Sequence, residues 1–238
     1  MSAQLSARDR LFVALDVASV DRARVLVTAL GDTVTCYKIG LELLFGGGLE
    51  FAQGLKAAGK TVFLDMKLLD IANTVEKAAA NIASLGLDYL TIHGTDSKTL
   101  EAAVRGRGAS RLKLLAVTVL TSLEKPDLEQ QGIRDMAPAD LVAHRARLAR
   151  AARIDGIVAS GHEASLIRAE VGPGVLIVTP GIRLAGGAAG DQARVMTPGK
   201  AIEAGADLLV VGRPITEADD PRAIASAFIA EIEKALRP

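Results

Sequence analysis

Eight short stretches rich in valine, isoleucine and leucine recur along the chain at intervals of roughly 30 residues, the usual length of a βα unit. They occupy residues 11–16, 34–39, 61–66, 89–93, 113–120, 156–160, 175–180 and 207–212. Polar and apolar residues do not alternate within them, which is typical of strands buried on both faces. Alanine- and leucine-rich helical segments separate most of the stretches. This pattern predicts a parallel sheet whose strands are connected by helices.

Three joints repeat one arrangement, in which a glycine ends a helix just before the next strand: AAGKTVFLD, SLGLDYLTIH and EAGADLLVVG. We predict an α/β fold, a (β/α)₈ TIM barrel that residues 1–238 form as a single domain. An open doubly wound sheet is the alternative. It is disfavoured because no G-x-G-x-x-G motif follows the first strand and because a barrel uses all eight units. A short extra helix is expected within 121–138, and the active site is expected at the carboxyl ends of the strands.

The composition argues against several classes of function. The chain has 28 basic and 28 acidic residues and only seven aromatic ones, five Phe and two Tyr, so no basic face or stacking platform for nucleic acid is expected. The single cysteine, Cys36, cannot form an intramolecular disulfide or a cysteine zinc site. No apolar run approaches a membrane span, and the first residues lack the apolar core of a signal peptide. We therefore predict a cytoplasmic protein without nucleic-acid or membrane partners.

A cluster of charges is expected where the first three strands end. Asp65 and Lys67 are two residues apart in the third stretch, so strand alternation predicts that both face the barrel mouth. Asp16 ends the first stretch, Lys38 ends the second, and Asp70 opens the following helix. A structural ion-pair cluster, or a helix N-cap in the case of Asp70, is the alternative. A functional origin is favoured, because burying four charges costs several kcal/mol each for little folding gain.

The charge pattern also bears on the chemistry that Lys67 can perform. A Schiff-base lysine of an aldolase needs a neutral amine, whereas Asp65 and Asp70 favour the ammonium form of Lys67. Lys67 is therefore interpreted as a proton donor. Two carboxylates could instead hold Mg²⁺, but the interleaved lysines compete with a cation. We predict no metal.

A phosphate site is expected at the loops after strands 7 and 8, where barrels commonly bind phosphate. Arg213 can form a bidentate pair with a phosphate, and Gly212 lets a ligand approach the backbone. The glycine- and alanine-rich segment 184–190 is interpreted as a lid, with Gln192 as a polar contact. The alternatives are a surface arginine and a featureless flexible loop.

The stretches DMKLLDIANT, TPGIR and VGRPIT resemble, in order and spacing, the orotidine 5′-phosphate decarboxylase family of the bacterial type. The resemblance runs from LFVALD to GRPIT, which is nearly the whole chain. The D-x-K-x-x-D core is shared with related sugar-acid phosphate decarboxylases, but the continuation I-A-N-T and the GDQAR segment are similar to the orotidylate enzymes. The resemblance implies cofactor-independent conversion of orotidine 5′-phosphate to uridine 5′-phosphate and CO₂ in de novo pyrimidine synthesis.

The resemblance also implies roles for individual residues. Lys67 would donate the proton to C6 of the pyrimidine, Lys38 and Asp65 would complete the catalytic network, and Asp16 would contact ribose. Asp70, also catalytic, and Thr74 are similar to residues that reach into the partner subunit's site, which implies a homodimer with shared active sites. The other substrate contacts implied are Ile71, Thr121, Ser122, Pro180, Arg183, Gln192, Gly212 and Arg213. His93 ends the fourth strand, and residues at the carboxyl ends of barrel strands commonly belong to the active site. The sequence assigns no role to His93.

Two other functions are weighed. A Mg²⁺-dependent decarboxylase of a keto sugar-acid phosphate would be expected to carry a carboxylate in place of Lys38. A non-catalytic barrel that binds nucleotide phosphate as a sensor would not need both Lys67 and Asp70. Decarboxylation of orotidine 5′-phosphate is favoured over both.

Overall fold

The computed structural model of the chain describes residues 5–186 and 196–237. Each of the eight predicted stretches overlaps a strand, although β2 and β3 run one and two residues further than predicted. The strands are β1 (Leu11–Ala14), β2 (Cys36–Gly40), β3 (Thr61–Leu68), β4 (Tyr89–His93), β5 (Lys113–Val117), β6 (Gly156–Val158), β7 (Leu176–Pro180) and β8 (Leu208–Val211).

Helices follow the strands in alternation. The α-helices are α1 (Val20–Leu30), α2 (Leu41–Leu43), α3 (Leu49–Ala57), α4 (Ala72–Ser84), α5 (Ser97–Arg107), α6 (Lys125–Gln130), α7 (Pro138–Ala151), α8 (Ala164–Val171), α9 (Pro198–Glu203), α10 (Arg213–Thr216) and α11 (Pro221–Leu236). Short 3₁₀ helices cover Arg8–Arg10, Gly31–Thr33 and Gly161–Glu163, and a π-helical turn covers Leu44–Gly48. Helix α6 is the extra helix expected within 121–138. None of the described helices is long and apolar enough to cross a membrane.

The sheet closes on itself. Every strand pairs in parallel with the next, and β1 also pairs with β8, where Phe12 lies opposite Val210. This confirms the (β/α)₈ barrel, and the open doubly wound sheet is wrong. Closure leaves both faces of each strand covered, by the barrel interior on one side and the helices on the other. The absence of polar alternation in the sequence has this physical cause.

Aromatic rings fill part of the barrel interior. Phe12, Phe63 and Tyr89 meet there, with Phe12 edge-on to the other two rings at centroid distances of 5.9 and 5.4 Å. Edge-to-face contacts of this kind add about 0.5–1.5 kcal/mol beyond the area they bury. Three of the seven aromatic side chains therefore belong to the core.

The turns that lead into the strands use left-handed backbone. Gly59, Gly86 and Gly205, the glycines of the repeated joints, have φ of +76°, +71° and +100°, which glycine adopts without a Cβ penalty. Arg153 takes the corresponding place before β6 with φ +61°. The same left-handed turn before a strand therefore occurs four times, and in one case the residue is an arginine, for which a positive φ is unfavourable.

Three aspartates brace the end of the barrel opposite the strand tips. Each immediately precedes a strand. Its carboxylate accepts a hydrogen bond from a backbone N–H of the preceding strand and forms an ion pair with a basic residue of a helix. The pairs are Asp88 with Val62 N and Lys56, Asp155 with Leu114 N and Arg107, and Asp207 with Ile177 N and Arg168. Because these contacts fix the strand register at the amino ends of the strands, residues at the carboxyl ends are available to form a site.

Candidate active site

Four side chains form an alternating chain of charges at the carboxyl ends of β1, β2 and β3. Lys38 Nζ donates to both carboxylate oxygens of Asp16, at 2.7 and 2.8 Å. The same ammonium lies 3.5 Å from Asp65 Oδ2, while Lys67 Nζ donates to Asp65 Oδ1 at 2.9 Å. The structure thus brings together the four residues that the sequence placed at neighbouring strand tips.

Burial and charge act against each other on Asp65. Its carboxylate is largely buried, and burial by itself would raise the pKa. The ammoniums of Lys38 and Lys67, with hydrogen bonds from Lys67 and Thr91, outweigh burial and lower the pKa of Asp65 below its ordinary value. Asp65 is therefore ionised at neutral pH, and its carboxylate accepts the hydrogen bond from Lys67 Nζ.

The backbone at Lys67 is irregular. Alternation in a regular strand predicted that Asp65 and Lys67 share a face, and their side chains do meet. However, the register of β3 against β4 shifts between Leu64 and Leu68, and Lys67 has φ +49°. A left-handed backbone costs a non-glycine residue about 1–2 kcal/mol. Strain at this position directs the ammonium into the site, which is a common location for stored strain.

Gly40, at the end of β2, makes room for the first ion pair. A Cβ at this position would lie 2.5 Å from Asp16 Oδ1 and 3.0 Å from Lys38 Nζ. Any larger residue would displace the pair. The sequence analysis did not identify Gly40, because its close approach to Asp16 depends on the packing of β2 beside β1.

A small cavity of about 170 Å³ opens beside Lys67. Its polar members are Lys38, Asp65, Lys67 and Thr121, and the rest of its lining is apolar. The apolar lining consists of Phe63, Val117, Val119, Leu120, Val158, Pro180 and Val210. A flat, weakly polar ring would fit such a wall, with the ammonium of Lys67 at its edge.

A larger and more polar cavity of about 560 Å³ adjoins the first and shares Lys38, Asp65, Pro180 and Val210 with it. Arg183, Gly212 and Arg213 line its far side. Burial, with a smaller contribution from the charge of Arg213, lowers the pKa of the Arg183 guanidinium. Two guanidiniums close enough to interact in this way favour a doubly charged anion between them. The predicted phosphate end therefore lies across the charge chain from the apolar cavity.

The structure places the other predicted residues as follows. Asp16 lines the larger cavity, Thr121 lines the smaller, and Ser122 is exposed and lines neither. Asp70 and Ile71, just before α4, and Thr74, in its first turn, are exposed and line neither cavity. The residues that line at least one cavity are Asp16, Lys38, Asp65, Lys67, Thr121, Pro180, Arg183, Gly212 and Arg213.

The expectation that Asp70 opens the following helix is wrong in detail. Helix α4 begins at Ala72 with Ile71 as its N-cap residue, and no side chain caps it. The Asp70 carboxylate accepts instead from the Ile71 N–H, at 2.6 Å. Asp70 is thus exposed in the loop and does not serve as a helix cap. Gln192 and most of the predicted lid, 187–190, lie outside the described residues.

Two residues at the end of β4 also belong to this region. His93 is half-buried, and burial, followed by the positive charges of Arg145 and Lys67, lowers its pKa, so its imidazole is neutral at pH 7. Thr91 is fully buried and bonds to both Asp65 and Lys67, and the sequence analysis missed it. Strand alternation back from His93 could have indicated Thr91. Within 5–186 and 196–237, no three His, Cys, Asp or Glu side chains are grouped to hold a metal ion.

Comparisons with known proteins agree on one family. The model of the family described as "Orotidine 5′-phosphate decarboxylase / HUMPS family" matches residues 9–228. An orotidine 5′-phosphate decarboxylase of Rhodopseudomonas palustris (strain BisA53) is 55% identical over 228 residues, which are 96% of each chain. That of Methylobacterium sp. (strain 4-46) is 54% identical over 238 residues, 99% of this chain and 100% of the relative.

Comparison with solved structures leads to the same family. The crystal structure of orotidine 5′-phosphate decarboxylase from Lactobacillus acidophilus superposes with a TM-score of 0.82 at 35% identity. The superposition covers 93% of this chain and 98% of that one. The similarity thus extends over nearly the whole chain.

Proposed function

The chain belongs to the orotidine 5′-phosphate decarboxylase / HUMPS family, and we propose that it carries out its reaction with Lys67 as the proton donor. It is a carboxy-lyase of pyrimidine synthesis, which converts orotidine 5′-phosphate to uridine 5′-phosphate and CO₂. The observation that carries the assignment of Lys67 is the alternating charge chain Asp16–Lys38–Asp65–Lys67. It lies where an apolar cavity meets an arginine-lined one.

The chemistry follows from the charge that develops on the substrate. When the bond from C6 to the carboxylate breaks, its electron pair stays on C6, where no conjugated group can accept it. An ammonium fixed beside C6 stabilises that carbanion and then transfers a proton to it, which leaves a neutral amine. Asp65, 2.9 Å from Lys67 Nζ, holds the ammonium in place before the reaction. Neither step needs a cofactor, and we propose none.

Arg183 and Arg213 are proposed to hold the 5′-phosphate, and Asp16 the ribose. The base would then occupy the small cavity, so that the substrate passes over the charge chain from one cavity to the other. Binding energy from the phosphate, remote from C6, can be used to position the ring against Lys67 in the transition state. Gly212 adds a site of close backbone approach beside Arg213.

We also propose that the enzyme is a homodimer with shared sites. Asp70 and Thr74 are exposed at the barrel mouth rather than inside their own chain's cavities. The two apolar neighbours of Asp70 in the chain are also exposed, Leu69 to 56% and Ile71 to 73%. Exposed apolar groups around functional polar residues are typical of a subunit interface. In a two-fold dimer, Asp70 of one subunit would reach the charge chain of the other subunit.

The rest of the proposal concerns the setting of the enzyme. The barrel elements run from Leu11 to Leu236, which supports a single domain that carries the whole activity. A biosynthetic role and a lone buried cysteine, Cys36, fit the reducing cytoplasm. The balanced charge of the chain supports a small-molecule substrate rather than a nucleic-acid partner.

Purified protein treated exhaustively with EDTA is expected to decarboxylate orotidine 5′-phosphate at the rate of untreated protein. Alternating lysines and carboxylates leave no unopposed acidic cluster for a divalent cation. The measurement is the loss of substrate absorbance as product forms. Activity that depends on added Mg²⁺ would favour the keto sugar-acid phosphate rival, and tight nucleotide binding without turnover would favour the sensor.

Replacing Arg213 by alanine is expected to raise KM strongly and to lower kcat/KM by about 10²- to 10⁴-fold, because phosphate binding energy is used in the transition state. Arg222→Ala is the matched control, since Arg222 bonds to Ala29 O on the outer helices. Steady-state kinetics with both variants test this. A kcat/KM within threefold of the wild-type value for R213A would remove Arg213 from the phosphate site.

A further inference from the structure

Thr91 lies behind the charge chain, in the middle of β4. Its side chain is fully buried and lines neither cavity. The hydroxyl donates to Asp65 Oδ1 at 2.8 Å and accepts the backbone N–H of Lys67 at 2.9 Å. A threonine hydroxyl has one proton to donate, so its donor capacity is spent on Asp65. One buried oxygen therefore touches both residues that flank the reacting position.

The irregular backbone of β3 explains why this hydroxyl is needed. Leu64 lies opposite Leu90 and Leu68 lies opposite Ile92, so three residues of β3 face the single residue Thr91 of β4. The Lys67 N–H is in the middle of this mismatch, and the Thr91 side chain accepts it. Satisfying that buried N–H offsets part of the cost of the left-handed backbone at Lys67.

The same hydroxyl orients the Asp65 carboxylate. Oδ1 accepts from Thr91 and from Lys67 Nζ, which leaves Oδ2 facing Lys38 Nζ at 3.5 Å. Rotation of the carboxylate away from this position would break the contact with Thr91 and move the oxygen that holds the ammonium. The two hydrogen bonds of the Thr91 hydroxyl thus fix the position of the Lys67 backbone N–H and, through the Asp65 carboxylate, the position of Lys67 Nζ.

We propose that Thr91 is a positioning residue for decarboxylation, which holds the Lys67 backbone and the Asp65 carboxylate in the geometry that presents the ammonium to the substrate. The proposal rests on the proposed role of Lys67. Thr91 does not touch the substrate and acts only through these two residues. Its loss should therefore lower kcat with little effect on KM, because the phosphate is held at the other end of the site.

The test compares Thr91→Val with Thr118→Val. Thr118 is also buried, one residue beyond the end of the neighbouring strand β5, but its hydroxyl donates to the Val158 carbonyl rather than to the charge chain. T91V is expected to lower kcat by about 10- to 100-fold, the effect of misplacing a catalytic group by a fraction of an ångström to 1 Å, with KM within threefold. T118V should retain kcat within threefold. Thr91→Ser keeps the hydroxyl and should restore most of the kcat.

A pH profile separates positioning from simple loss of stability. The titratable groups around Asp65 are Lys38 on β2, Lys67 on β3 and the neutral His93 at the end of β4, with Asp16 beyond Lys38. Because the bond from Thr91 helps to lower the pKa of Asp65, the acid limb of kcat should move to higher pH in T91V and stay unchanged in T118V. A merely structural hydroxyl would leave this limb in place.

Hydrogen exchange supplies a measurement that does not depend on activity. The Lys67 amide, in peptides that cover 65–68, should exchange at least about tenfold faster in T91V and at the wild-type rate in T91S. Should T91V fail to fold, Thr91→Cys paired with Thr91→Ser poses the same question, because a thiol bonds more weakly than a hydroxyl. Unchanged kcat, acid limb and Lys67 exchange in T91V or T91C would overturn the proposal. An inactive wild-type enzyme would instead contradict the proposed function, and the exchange result would still decide the role of Thr91.

Discussion

Replacing Lys67 by alanine is expected to lower kcat for decarboxylation by at least about 10⁴-fold, since in the proposed mechanism this one side chain supplies both carbanion stabilisation and the proton. The wild-type ammonium lies at the edge of the small cavity, 2.9 Å from the Asp65 carboxylate. No other described side chain lines that cavity with a positive charge except Lys38, which is bound to Asp16 and faces Asp65. Lys38 therefore cannot replace the missing donor without leaving its own partners.

Binding of uridine 5′-phosphate should survive the K67A substitution within about tenfold, because Arg183 and Arg213, the proposed phosphate residues, line the larger cavity and not the one beside Lys67. Single-turnover kinetics and calorimetric titration measure the two effects separately. Lys98→Ala, an exposed lysine on α5, controls for loss of a positive charge. Retained turnover within tenfold of wild type would exclude Lys67 as the proton donor.

Mixing two inactive variants, Lys67→Ala and Asp70→Ala, is expected to restore activity. If each site takes Lys67 from one chain and Asp70 from the other, a heterodimer contains one doubly altered site and one wild-type site. Random exchange of equal amounts makes about half of the dimers mixed, so about a quarter of all sites should regain wild-type activity. The assay is the specific activity of the mixture against that of each variant alone.

A second mixture makes this experiment specific. Lys67→Ala and Lys38→Ala remove two residues that meet the same Asp65 carboxylate within one chain, so no combination of those subunits contains a wild-type site. Native mass spectrometry should show mixed dimers in both cases. If mixed dimers form and the K67A and D70A mixture stays as inactive as its components, Asp70 does not act in the partner's site.

The barrel and the location of its site could be predicted from the sequence because they depend on local patterns. Doubly buried strands lack polar alternation, and left-handed turns before strands select glycine, as at Gly59, Gly86 and Gly205. Parallel strands bring their carboxyl ends to one rim, so Asp16, Lys38 and Asp65 had to be neighbours once the strands were in order. Chain order and strand period are sufficient for each of these conclusions.

Other features depend on contacts between residues far apart in the chain. The register shift that gives Lys67 its φ of +49° arises between β3 and β4, and it assigns Thr91 to the Lys67 N–H and the Asp65 carboxylate. The need for glycine at position 40 comes from the Asp16–Lys38 ion pair of the adjoining strands. These features were decided by the tertiary structure, because inter-strand register and side-chain approach are set when the barrel closes and no local pattern specifies them.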